Sequence, residues 1–122
     1  SDNLVYGGTS IIKGMSDGTN SLKQQTIYGG VGSVEIMDNV SGFIEQKQTI
    51  NAGNGIVGTM NNGYQYIMSS NASGHIDLMY NGSQTLYSAG KGSIGTMSGG
   101  EQNLYNGASA DIGTMIGGTQ LC

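Results

Sequence analysis

Apolar positions return along this chain at a spacing too long for one helix and too regular for chance. One methionine recurs per repeat: Met15, Met37, Met60, Met79, Met97 and Met115, at spacings of 22, 23, 19, 18 and 18. Three residues before each stands a β-branched aliphatic: Ile12, Val34, Val57, Ile76, Ile94, Ile112. Ten to twelve residues before each methionine lies a further aliphatic: Val5, Ile27, Ile50, Ile67, Leu86, Leu104. Two residues before that is an amide: Asn3, Gln25, Gln48, Gln65, Gln84, Gln102. Gln120 opens a seventh repeat. A fixed period of this kind marks a repeat architecture, in which no single unit can bury its apolar face alone.

Each repeat carries two short apolar segments, of the types Gln84-Thr85-Leu86-Tyr87 and Ser93-Ile94-Gly95-Thr96-Met97. Segments of about four to six residues fit strands and are too short for helices. Gly and Asn between them suit corners that need positive φ. The period excludes helical repeats of about 33 residues or more. The predicted fold class is all-β, a parallel β-helix (β-solenoid) of about six coils of 18–23 residues. The whole chain, 1–122, forms one repeat domain: longer, irregular coils over 1–47 and regular coils of 18–19 residues over 48–122. Extra residues after Met15 (Ser16 to Leu22) and after Met37 (Asp38 to Glu45) predict two loops at one corner. Val40, Phe43 and Ile44 make the second an apolar cap or a contact surface. The amide column is expected inside the coil or at a corner, bonded along the stack like other amide ladders. The pattern breaks off within a repeat at Cys122, which predicts a longer array.

Composition narrows the partners. The 122 residues include 23 Gly and no Pro, and only 10% are charged, so Asn, Gln, Ser and Thr must supply the polar surface. The formal net charge is −4, and the four lysines, Lys13, Lys23, Lys47 and Lys91, are scattered. Binding a phosphate backbone needs clustered cations, so nucleic acid is not an expected partner. No apolar run approaches the roughly 20 residues of a membrane span. Cys122 is the single cysteine, and it can form neither an internal disulfide nor a metal cluster.

Catalysis finds little support in the residues. His75 is the only histidine, one place before the core Ile76, where a solvent-facing role is expected. No nucleophile–base–acid triad is predicted. Asp77 and Asp111 fall at unrelated repeat positions. The run Gly29 to Met37 resembles the start of a calcium-binding nonapeptide, but Val34 stands at the aspartate position, so no metal or other cofactor is expected. The outward strand face is more informative. Opposite the interior column lie Leu4 and Tyr6, Thr26 and Tyr28, Thr49 and Asn51, Tyr66 and Met68, Thr85 and Tyr87, Asn103 and Tyr105. Tyr6, Tyr28, Tyr66, Tyr87 and Tyr105 are therefore the candidate self-association or ligand face. Tyrosine offers apolar area and a hydroxyl at low entropic cost. Stacking between coils, which only stabilises the sheet, is the competing role. A regular Thr array for ice is not formed by Thr26, Thr49 and Thr85. Asn39, Asn71 and Asn81 each begin an Asn-x-Ser sequon.

The repeats from Asn81 to Gly100 and from Gly99 to Gln120, NGSQTLYSAGKGSIGTMSGG and GGEQNLYNGASADIGTMIGGTQ, resemble the short repeats of bacterial self-associating autotransporter adhesins, typified by the adhesin involved in diffuse adherence. The likeness is best over these repeats, recognisable from Gln48 onward and looser before. It implies a right-handed β-helix at the bacterial cell surface or secreted, carried out through a C-terminal outer-membrane barrel. It implies adhesion, cell aggregation and biofilm formation, with partners that are other copies of the rod or a host receptor. It also implies O-glycosylation by a dedicated glycosyltransferase, for which Ser73, Ser93, Ser109, Thr59, Thr96 and Thr114 are candidates by analogy. Methionine at the second core position and the spacings of 22 and 23 depart from the family pattern. Two alternatives remain open: a structural stalk presenting another module, and a polysaccharide-active β-helix enzyme.

Overall fold

The computed structural model describes residues 2–16, 23–38 and 45–122. The two expected loops fall mainly outside these residues, as do Val40, Phe43, Ile44 and the Asn39 sequon. Among the described residues thirteen strands alternate between two sheets, and their pairing is parallel. The odd strands are β1 (Asp2–Val5), β3 (Gln24–Ile27), β5 (Lys47–Ile50), β7 (Tyr64–Ile67), β9 (Ser83–Leu86), β11 (Glu101–Leu104) and β13 (Thr119–Leu121). The even strands are β2 (Thr9–Met15), β4 (Val31–Met37), β6 (Gly53–Met60), β8 (Ala72–Met79), β10 (Lys91–Met97) and β12 (Ser109–Met115). Each sheet stacks its strands in chain order. The chain is a β-solenoid of about six turns, as its periodicity predicts.

The register reproduces the sequence columns residue for residue. Ile27 pairs with Ile50, Ile50 with Ile67 and Ile67 with Leu86. Val57 pairs with Ile76, Met60 with Met79, and Met79 with Met97. A slip of one residue would turn every interior side chain outward, so the buried face fixes the register. Ile27, Ile50, Ile67 and Leu86 form one cluster, joined by Val5 and Ala72. The Ile/Val and Met columns of the even strands form the other. Each fully buried aliphatic or Met contributes about 1.5–3 kcal/mol. In the last coil Ile112 and Leu104 are half-buried and Met115 is exposed.

The two even-strand columns are three residues apart, an odd interval that simple alternation would send to opposite faces. A bend resolves this. In β4, Gly32, Val34 and Met37 are buried while Glu35 and Ile36 both face out. Lys13, Glu35, Gly58, Asp77, Gly95 and Gly113 sit at this bend, between the paired positions.

Between the two apolar clusters runs the amide ladder, inside the coil. Gln48 donates from Nε2 to Gln25 Oε1 at 2.8 Å, Gln65 to Gln48 at 2.8 Å, and Gln84 to Gln65 at 2.8 Å. Gln102 and Gln120 extend it, and Gln25 donates to Asn3 Oδ1 at 2.9 Å. The same Nε2 groups reach carbonyls of the facing sheet, as Gln48 does to Gly32 O at 3.1 Å. Gln25, Gln48, Gln65, Gln84 and Gln102 are fully buried, so these bonds offset a desolvation cost that would otherwise be large.

Two further groups of glycines stand out among the described residues. Gly30, Gly53, Gly63, Gly82, Gly100 and Gly118 turn corners with positive φ, as expected. Gly32, Gly55 and Gly74 lie within strands and face inward. A Cβ on Gly32 would stand 2.7 Å from Gln25 Oε1. This inward column, absent from the sequence-based reading, makes room for the ladder.

Candidate binding surface

With the interior filled, the remaining chemistry lies on the outer columns. On the odd sheet, Leu4, Thr26, Thr49, Tyr66, Thr85 and Asn103 stack in register. Tyr6, Tyr28, Tyr87 and Tyr105 occupy the turn that follows, held by bonds such as Tyr28 N–H to Val5 O at 2.7 Å and Tyr105 N–H to Leu86 O at 2.9 Å. The five candidate tyrosines thus belong to two columns. Tyr66 stands two residues nearer the strand start than the rest.

The turn column is also interrupted. Tyr6 stacks on Tyr28 with centroids 5.1 Å apart, and Tyr87 on Tyr105 at 5.4 Å. Asn51 and Met68 occupy the coils between these pairs. Offset aromatic pairs in this range contribute about 0.5–1.5 kcal/mol beyond burial. Tyr6, Tyr28 and Tyr105 nevertheless stay exposed. Thr85, expected outside, is buried.

Tyr66 does something different. It stacks on Tyr64 at 5.8 Å, a neighbour the sequence pattern did not single out. Its hydroxyl donates to Glu45 Oε1 at 3.2 Å. Burial, and then the adjacent Glu45 carboxylate, push its pKa up to about 12. The neutral phenol is the form favoured by folding. Its contribution is therefore complete below the ordinary tyrosine pKa of about 10 and is lost as pH rises towards 12. An ultraviolet titration should show one tyrosine ionising near pH 12, and Tyr66→Phe should remove that step.

The even sheet carries two outward columns before its bend. Val31, Asn54, Ser73, Lys91 and Ser109 form the first. Ser33, Ile56, His75, Ser93 and Asp111 form the second. A groove of about 470 Å³ lies between them. Past the bend, Ile36, Thr59, Leu78, Thr96 and Thr114 form a third column, in which Ile36 and Leu78 are exposed. The six candidate O-glycosylation residues therefore fall in three columns: Ser73 and Ser109 in the first, Ser93 in the second, and Thr59, Thr96 and Thr114 in the third.

Ser93, His75 and Asp77 come together on this face, which corrects the expectation that no such grouping exists. His75 Nε2 lies 2.7 Å from Asp77 Oδ1, and Nδ1 lies 2.6 Å from Ser93 Oγ. The carboxylate accepts, so Nε2 carries the proton, and in the neutral imidazole Ser93 donates to Nδ1. Spacing along the chain hides this, because Ser93 arrives from the next coil. The connectivity is that of a nucleophile, a base and an orienting acid. Such a site also needs donors for a developing oxyanion. Here the strand N–H groups are spent along the stack in the parallel ladder, so donors on this face come from side chains such as Asn54 and Lys91. The imidazole is held at both nitrogens, and His75 and Ser93 line one wall of the groove.

Among the described residues no group of three or more His, Cys, Asp or Glu could hold a metal ion, and no helix is long and apolar enough to cross a membrane. Cys122 is exposed. No protein-family model matches the chain, and neither the curated proteins nor the solved structures yield a match.

Proposed function

We propose that the chain is a non-catalytic binding rod, a segment of a bacterial cell-surface adhesin that acts by self-association or by holding a host surface. The observation that carries this reading is the exposure of large apolar and tyrosyl side chains on successive coils. Tyr6, Tyr28, Tyr105, Ile36, Leu78 and Tyr80 all lie open on the outside. Exposed apolar surface of this kind marks contact sites, and repetition along a rod multiplies weak contacts into avidity. The repeat residues from Gln48 onward, which resemble autotransporter adhesin repeats, support the same reading. They also support aggregation and biofilm formation as the outcome, and glycosylation of outer Ser and Thr residues as a modification.

The break in the tyrosine column at Asn51 and Met68 favours a second reading, a stalk that presents another module. One experiment separates the two. Cells displaying the wild-type rod should aggregate or adhere above controls, and replacing Tyr28, Tyr87 and Tyr105 with Ser should abolish this while the fold persists. Unchanged aggregation in the triple variant would favour the stalk. Absence of aggregation and adhesion in the wild type would defeat the adhesin reading.

A further inference from the structure

The groove on the even sheet is lined mainly by polar side chains and glycine backbone. Its walls are the first two outward columns, and its floor is the strand backbone at Gly55, Gly74 and Gly92. Asn54, Ser73, Lys91 and Asp111 line it and make no side-chain hydrogen bond or ion pair among the described residues. His75 and Ser93 are bonded to each other, so one wall is already ordered. The open side chains are one amide, one hydroxyl, one cation and one carboxylate, and Ile56 adds an exposed apolar patch.

Three features select among ligand classes. Lys91 is opposed by Asp111 in the groove and by Asp77 behind His75, so no net positive field draws a strong anion. The backbone N–H and C=O groups of a parallel sheet run between strands, so the face offers an extended peptide no strand to pair with. Donors and acceptors that come only from side chains, beside an apolar patch, match a ligand with many hydroxyls and a C–H face. The groove spans β4 to β12, four strand spacings, or roughly 19 Å. Its volume, about 470 Å³, lies within the range of about 300–1,000 Å³ typical of ligand sites.

We propose that this groove binds a short, uncharged oligosaccharide, with Asn54, Ser73, Lys91 and Asp111 as its hydrogen-bonding residues. The proposal rests on reading the rod as a binding surface and names where, and for what chemistry, it binds. A printed array of uncharged, sialylated and sulfated oligosaccharides tests it. The wild type should bind a subset of the uncharged spots. Asn54→Ala, Lys91→Ala and Asp111→Ala should each weaken that binding roughly fivefold, the loss expected for one hydrogen bond. Ser73→Arg should block the groove and remove binding. Circular dichroism should show every variant folded, and cells displaying the variants should aggregate as the wild type does. Wild-type cells that fail to aggregate, while the purified wild type still binds sugar, would count against the self-association reading and leave the groove standing. The proposal is overturned if no uncharged spot binds, if only acidic spots bind, if the variants bind like wild type, or if peptides from a display library occupy the groove and sugars do not.

Discussion

Gly82→Ala is expected to destabilise the rod by about 3 kcal/mol or more, as positive-φ strain of about 1–3 kcal/mol and overpacking of about 1–3 kcal/mol combine. Gly82 turns the corner into β9 with φ +99. A Cβ there would overlap the carbonyl oxygen of Gly63 in the coil before and would lie 2.9 Å from the Met60 sulfur. The oxygen belongs to the backbone, so no side-chain rotation relieves the overlap. That same oxygen accepts the Ser83 N–H at 3.0 Å, so a shift would also weaken the ladder into β9. Guanidinium denaturation should show the loss as a lower midpoint. Gly7→Ala, at a position with nothing within 4 Å of the added carbon, should leave the midpoint almost unchanged.

Gln65→Leu should cost about 2–4 kcal/mol, although leucine has a similar size and is more apolar. The substitution removes the donor to Gln48 Oε1 and the acceptor for Gln84 Nε2. Gln84 keeps contacts with Gly74 O at 3.4 Å and Ser93 O at 3.1 Å. Gln48 Oε1 is left buried with no donor, and an orphaned buried acceptor costs about 1–3 kcal/mol by itself. The ladder's Nε2 groups also tie the odd strands to the even ones, so the loss should spread to both neighbouring coils. Thr49→Ala, on the outer face of β5, should change the midpoint far less.

Both predictions rest on columns that differ in how openly the sequence declares them. The aliphatic, Met and amide columns are legible because each keeps one chemistry through every coil, and the stack pairs those positions directly. The bend at Glu35 is written in the interval of three between Val34 and Met37, which a straight strand cannot satisfy. The inward glycines were hidden because corner glycines outnumber them and share their letter. Only the facing Gln25 and Ile27 side chains show why Gly32 must lack a Cβ. The surface was less legible still. Tyr66 and Tyr87 look alike in sequence, yet one lies on a strand against Glu45 and the other in the turn. Ser93, His75 and Asp77 meet because a coil of 18 residues brings β10 beside β8, a neighbourhood that local spacing cannot show. The groove likewise combines residues from several coils, none of which forms a motif by itself.

We propose that the interior columns make the rod and the outer columns make its contacts. Sedimentation velocity on the purified chain, paired with thermal melts, tests this division most directly. Wild type should associate as concentration rises, while the Tyr28→Ser, Tyr87→Ser, Tyr105→Ser variant should stay monomeric and melt as one cooperative β-rich rod. A variant that associates as the wild type does, or that loses association only by unfolding, would contradict it.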